Sequence, residues 1–384
     1  LPGSLGTLPG LITTPPGGFP GTGQPGVAYL TSARDATLMA LTRITTANPP
    51  YVIVESAADT MGQIVSRTDG RGARTTFQYD AVGQLTSQTE DALGLPATTQ
   101  FTYDDAGNRT RLQETGRRTK DVSYTFTAMN QLVSATDGSY WVYDSLGNMR
   151  VKNDGTDYWE YVYSPENQLL SVRKNSTWQA GYAYDFQSRR LIEQNAQDTT
   201  VFAWDGWNSL ADYKYDGSLK ASYLTALGLD EYILQEDANG NVIYFLQDRV
   251  NSVVGVTDTN GVLQGYNVYE AFGEIRDNTG MGNVRFAFTG RERGVGELMY
   301  YRMRWYDNIV GAFAQQDPIE HSAGTLNYYC YVSANPLHAR DPQGLRKQER
   351  CALACFSAVI AGVRCATCLY TAIATTGIVI PIDV

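Results

Sequence analysis

Tyr79-Asp80-Ala81-Val82-Gly83-Gln84-Leu85 holds a complete turn unit. An Asp at the first turn position accepts a hydrogen bond from the backbone two residues on, and a Gly three residues later supplies the left-handed conformation that closes a hairpin. The residues before it, Thr75-Thr76-Phe77-Gln78-Tyr79, alternate, so one strand face is aromatic and the other polar. The same Asp-x-x-Gly spacing recurs at Asp59, Asp69, Asp91, Asp104, Asp144, Asp237 and Asp258, and the early copies lie about one strand plus one turn apart. Gln or Asn and then an apolar residue often follow the Gly, as in Gly62-Gln63-Ile64. Aromatic-Asp pairs precede several turns, at Tyr79-Asp80, Tyr103-Asp104 and Tyr143-Asp144. Tyr184-Asp185 and Trp204-Asp205 keep the pair and lose the Gly. A hairpin of this kind buries its apolar face only when the next hairpin lies beside it. The expected fold class is therefore all-β, a long antiparallel sheet that coils on itself.

Outside the repeats the composition agrees. Tyr occurs 26 times and Gly 37 times, a combination typical of hairpin-rich β proteins. With 43% hydrophobic residues the chain has enough apolar surface for a sizeable core. It begins at Leu1, so it reads as a fragment or a processed product, and a missing signal peptide says nothing about export. Residues 1–26 are Pro- and Gly-rich and read as an extended linker. The net charge of −10 argues against a nucleic-acid partner, whose phosphates need clustered Lys and Arg. The two histidines, His321 and His338, leave little room for His-based metal sites or Ser-His-Asp triads. No phosphate loop occurs, and one GxGxxG match at residues 21–26 has no strand before it or helix after it. No cofactor or metal is implied. The Asp-x-x-Gly sites read as turns, not calcium loops: even at Asp237 no Glu closes the loop.

The unit at Tyr79–Leu85 resembles the YD repeat of RHS proteins, TcC toxin subunits and teneurins. Residues 244–273, YFLQDRVNSVVGVTDTNGVLQGYNVYEAFG, are similar to a longer signature of that family. Leu246, Asn251 and Ala271 stand there where the family has His, Gly and Pro. Residues 288–307, FTGRERGVGELMYYRMRWYD, resemble the RHS-associated core. So do Asp317-Pro318-Ile319, Asn327-Tyr328, Asn335-Pro336 and Asp341-Pro342-Gln343-Gly344-Leu345. The resemblance spans roughly residues 56–345. It implies a spiral β shell over residues 27–287, a core over 288–345 that plugs it, and a separate tail, short and apolar, over 346–384. In that family the shell encloses a C-terminal toxin, and an aspartate-dependent cut after the DPxGL motif frees it. The resemblance places this cut at Leu345–Arg346.

Amide hydrolysis needs a base to activate water and an acid to protonate the leaving nitrogen. Two carboxylates sharing one proton supply both. Asp341 matches the motif and is one candidate. Asp317 is the second, and Arg340 is a candidate to stabilise charge on the scissile carbonyl. Ala312 and Glu320, where the family has Arg and Gly, depart from the pattern beside Asp317. The competing reading makes both Asp-Pro pairs plain turns. His321 and His338 read as ordinary plug or surface residues.

The tail carries +2 and the rest of the chain −12. It is almost uncharged from Cys351 to Ile382 apart from Arg364, and it holds Cys351, Cys355, Cys365 and Cys368. That spacing weakly resembles halocin-C8-like bacteriocin domains. Paired disulfides suit an exported peptide, while zinc binding or free thiols remain alternatives. The expectation is an exported polymorphic toxin, secreted or at the cell surface. Its partners would be its own tail as cargo, a target membrane and an immunity protein. The alternative is a non-enzymatic surface adhesion protein. Any enzymatic activity would be the self-cleavage alone.

Overall fold

The structure is a computed structural model that describes residues 40–44, 51–69, 72–92, 95–282, 284–296, 298–320, 325–345 and 348–349. Within these, a single 23-stranded antiparallel sheet runs from β1 (Ala40–Ile44) to β23 (Ile275–Thr279). Each strand pairs with the next in sequence, and the sheet does not close into a barrel. A four-stranded sheet follows: β24 (Glu292–Arg293), β25 (Leu298–Tyr301), β26 (Arg304–Asp307) and β27 (Ala312–Phe313). Last comes a short hairpin of β28 (Ala339–Arg340) and β29 (Gln348–Glu349).

The repeat letters have separate jobs. In the turns at Asp59, Asp80, Asp104, Asp144, Asp237 and Asp258 the carboxylate accepts two backbone N–H groups, Asp80 Oδ1 lying 3.0 Å from Val82 N and 2.8 Å from Gln84 N. Asp91 does not open a turn but lies in the strand, opposite Pro96. Gly83 then takes φ +88°, which a side chain would resist. The Tyr before the Asp reaches back one hairpin. Tyr79 donates its hydroxyl to the Ile64 carbonyl at 2.7 Å, Tyr103 to Leu85 at 2.7 Å and Tyr184 to Leu169 at 2.8 Å. Trp204 does the same with its indole N–H, to Arg190 at 2.8 Å. Asp thus shapes its own turn while the aromatic stitches it to the previous one.

Two further turns use the same geometry without the motif. Thr127 and Ser164 replace the Asp through their hydroxyls, and Asn130 and Asn167 adopt φ 61° and 62° in place of Gly. Ser188 does so at φ 62°, which explains how Tyr184-Asp185 manages without Gly.

Alternate turns fall at opposite ends of the strands. Those at residues 59–63, 80–84, 104–108, 127–131, 144–148, 164–168 and 185–189 share one end, which the plug of residues 286–345 covers. Inward residues such as Phe77, Trp141, Trp159 and Tyr182 share one core with plug residues Leu298, Tyr300 and Trp305. Burial of these large rings supplies the main driving force for seating the plug.

Candidate self-cleavage site

The plug grips the shell by its turn carbonyls. His338 Nδ1 donates to Gly62 at 3.1 Å, Asn327 to Ala106 at 3.1 Å, and Tyr329 to Gly147 at 2.8 Å. Gln315 donates to the Asn167 carbonyl and Tyr300, at 3.2 Å, to that of Ser188. Arg302 Nη2 reaches Trp207 at 2.6 Å, and Asn308 reaches Gly273 at 3.1 Å. Seven turns at this end are thus held, each by a different plug side chain. His338 is one of these grips, and His321 lies outside the described residues.

Asp317 and Asp341 come together through an arginine. Arg304 Nη2 lies 2.8 Å from Asp317 Oδ2 and 3.2 Å from Asp341 Oδ2, and all three side chains are almost wholly buried. The rest of this guanidinium is also engaged. Nε donates to the Gly344 carbonyl at 2.5 Å and Nη1 to that of Tyr328 at 2.8 Å, and the plane lies 3.5 Å from the centre of the Phe313 ring. Burial pulls the Arg304 pKa below its ordinary value, against the opposing pull of Asp341 and Asp317.

Asp341 binds the end of its own motif. Its Oδ1 accepts the Leu345 N–H at 2.9 Å, so the carboxylate sits beside the residue whose carbonyl belongs to the expected scissile bond. Gly344 closes the turn at φ +68°, with the Tyr301 carbonyl only 2.6 Å from where a Cβ would stand. Any side chain there would be excluded. Further along the chain, Gln348 pairs with Arg340 and Glu349 with Ala339, so Leu345 lies between the two strands of a short hairpin. Arg346 itself lies outside the described residues, as do Cys351, Cys355, Cys365 and Cys368.

Arg340 Nη1 donates to the Leu229 carbonyl at 2.8 Å, which makes it another grip on a shell turn. The guanidinium between the carboxylates is Arg304, which the sequence reading passed over. A signal was available: Arg302 and Arg304 sit inside the aromatic run Tyr300–Tyr306, where a buried cation requires an anion. Of the two departures from the family pattern, Glu320 adopts φ 46°, a conformation the family's Gly takes without cost. Ala312 forms a backbone bridge to Cys330, and Arg304 keeps both carboxylates paired beside it.

The Teneurin YD-shell family model matches residues 55–336. The chain belongs to that family. Among curated proteins, this YD-shell chain is 27% identical over 283 residues to the tRNA3(Ser)-specific nuclease WapA of Bacillus spizizenii, covering 69% of this chain and 12% of the relative. It is 25% identical over 323 residues to the double-stranded DNA deaminase toxin A of Burkholderia cenocepacia, covering 75% of this chain and 22% of that protein. The chain therefore spans well under a third of the relatives it matches. The solved structure of the TcdB2–TccC3–TEV assembly superposes with a TM-score of 0.63 at 17% identity, over 79% of this chain and 18% of that one. That likeness shows the fold, an antiparallel shell of the Tc-toxin type.

Proposed function

We propose that this YD-shell chain is part of an exported RHS-type polymorphic toxin that cuts its own Leu345–Arg346 bond. The single observation that carries the reading is Arg304 bridging Asp317 and Asp341 while Asp341 holds the Leu345 amide. Toxin relatives on the same shell support it. In this reading the two neighbouring carboxylates share one proton, because like charges held close disfavour ionisation of both, so one can serve as base and the other as acid. The ionised member takes a proton from water, whose oxygen attacks the Leu345 carbonyl carbon. The protonated member gives its proton to the Arg346 nitrogen as the C–N bond breaks. The products are a Leu345 carboxylic acid and an Arg346 amine, which become carboxylate and ammonium when the acid's proton passes to the amine, and the pair ends with one proton as it began.

Intact-mass measurement tests this. The expected result is a fragment of residues 346–384 from the wild-type chain and a single uncut mass from Asp341→Asn. Asp341→Asn cut at the same bond would end the assignment. A wild-type chain that never cuts would favour the second reading, a non-enzymatic surface adhesion protein that keeps the core motifs as structure.

For the tail we propose a membrane target, with an immunity protein as the producing cell's protection. Residues 346–384 hold no His and only Glu349 and Asp383 as carboxylates. A basic start followed by apolar runs suits anionic lipid. Synthetic residues 346–384 should release dye from anionic vesicles, and no release in either the oxidised or the reduced state would remove this part. Enclosure of the tail is also proposed. A concavity of about 600 Å³ lined by Phe202, Tyr223 and Arg285 is the size of a small-molecule site, so it is too small to hold the tail by itself.

A further inference from the structure

Behind the carboxylates lies a second buried charge cluster that the cleavage chemistry does not use. Asp230 sits in the turn between β18 (Leu219–Thr225) and β19 (Tyr232–Asp237), wholly buried. Two plug guanidiniums converge on it. Arg302 Nη2 is 2.7 Å from its Oδ1, and Arg291 Nη2 donates to the same oxygen. Both arginines also donate to one backbone atom of the motif, the Pro342 carbonyl, Arg291 at 3.3 Å. Arg302 additionally binds the Trp207 carbonyl of a neighbouring shell turn.

The charges explain the convergence. Asp230 faces both cations, Glu292 adds negative charge near Arg291, and the negative end of a peptide dipole meets the two guanidiniums at Pro342. Asp230 and Arg302 both hold left-handed backbone, at φ 63° and 62°. Side chains resist that conformation, which persists only where surrounding contacts over-determine it. The packing agrees: a Cβ on Gly290 would stand 2.9 Å from Asp230 Cβ. Arg304 then fixes the Gly344 carbonyl, and the Met303 amide donates to Gln343 at 3.2 Å. The carbonyls of Pro342, Gln343 and Gly344 are all held from the Arg302–Arg304 turn. Among the described residues, the hydrogen bonds from that turn to the shell come from Arg302.

We propose that Asp230, acting through Arg291 and Arg302, positions the Asp341–Leu345 turn for self-cleavage, so that the cut waits until the β18–β19 hairpin has folded beneath the plug. This rests on the self-cleavage reading given above. These are positioning residues, since none touches the reacting bond. Their role is to keep the Leu345 amide on Asp341 Oδ1, and through it the scissile carbonyl beside the pair. A chain with an incomplete shell would then hold its tail attached.

The experiment compares wild type with Asp230→Asn and with the charge-balanced pair Asp230→Asn/Arg291→Gln. Two readouts are followed: the first-order rate of self-cleavage across pH, and hydrogen exchange at the Gly344 and Leu345 amides in uncut chain. Positioning predicts a rate drop of tenfold or more in Asp230→Asn and at least tenfold faster exchange at Leu345. Exchange in β10–β14 (residues 140–184) should stay unchanged. Removing the Asp230 charge also leaves more positive charge around Asp341, Asp317, Arg304 and Arg340, so the acid limb of the rate profile should move to lower pH. A general loss of structure would lower the rate at every pH without moving that limb. If Asp230→Asn does not fold, the charge-balanced pair takes its place, with the same expected loss. Wild-type rate and exchange in the folded variant would overturn the proposal. If the wild-type chain never cuts, the self-cleavage reading fails, and exchange at Leu345 alone decides whether the cluster holds the turn.

Discussion

Arg249 Nη1 donates to the Gly62 carbonyl at 3.2 Å, joining two shell turns 187 residues apart. The contact marks where the spiral completes one circuit, and His338 of the plug binds the same oxygen. Nearby, Arg67 Nη2 reaches the Tyr269 carbonyl at 2.6 Å and Arg276 pairs with Glu114 at 2.6 Å. The two ends of the sheet thus meet through side chains, without strand pairing. A hydrogen bond from a charged donor contributes about 1.5–3 kcal/mol. Arg249→Ala should therefore speed hydrogen exchange roughly tenfold in residues 51–69 and leave residues 158–184 unchanged. Equal protection in both regions would show that the seam is held elsewhere.

Gly147 and Gly217 separate backbone strain from plug contact. Both hold positive φ, 78° and 83°, so Ala at either costs about 1–2 kcal/mol from the backbone alone. At Gly217 a Cβ meets nothing within 4 Å, whereas at Gly147 it would lie 2.6 Å from Gln316 and 2.7 Å from the Tyr329 hydroxyl. Gly147→Ala should destabilise by at least about 1 kcal/mol more than Gly217→Ala in urea unfolding, and it should make the plug more sensitive to protease. Equal losses would mean that the plug yields at that contact.

Arg304 is predicted to be the most sensitive cation of the site. Its removal leaves Asp317 and Asp341 buried without the charge between them, and breaking such a pairing costs about 3–5 kcal/mol. Arg304→Gln should lose stability on that scale. Arg304→Lys should lose less, yet a lysine has no planar fork to serve both carboxylates, Gly344 and Tyr328 together. Unfolding midpoints of the two variants check the order, and a Lys variant as weak as Gln would remove the role of charge.

Glu292 gives a pH test. Burial pushes its carboxyl up, but the guanidiniums of Arg285, Arg190 and Arg291 outweigh this and hold it at about 2, below its ordinary 4.5. A depressed carboxylate stabilises the fold above its unfolded pKa, and that contribution is lost as pH falls toward the folded value. Burial raises Glu270, Asp248 and Asp212, whose contributions change in the opposite sense, so the difference from Glu292→Gln is the quantity to measure. The stability advantage of wild type over Glu292→Gln, on the order of 3 kcal/mol at neutral pH, should shrink between pH 4.5 and 2. A constant gap would mean Glu292 is not depressed.

Strand alternation and the Asp-x-x-Gly turns were legible because both are local: each needs only a few neighbouring side chains and one backbone angle. The turns at Thr127 and Ser164 were not, since a hydroxyl and an Asn reproduce the same hydrogen bonds with other letters. The stitching role of Tyr79 was also hidden, because its partner carbonyl at Ile64 has no side-chain signature. At the site, Asp341 and Asp317 were readable through motif resemblance. Arg304 and the Asp230 cluster were not, because their partners lie 37 and 72 residues away along the chain. Only the folded plug brings them together.

The grip of the plug on individual turn carbonyls makes it a counting device. Its donors belong to one folded plug, so they match only a shell with the right number of hairpins, at the right angular step, between Gly62 and Gly273. Inserting or deleting a repeat within that interval would leave every later donor facing the wrong turn. Repeats added before Asp59 would meet no such check. Within this architecture, a lineage can lengthen its shell freely at one end, while the circuit under the plug is locked to a single size.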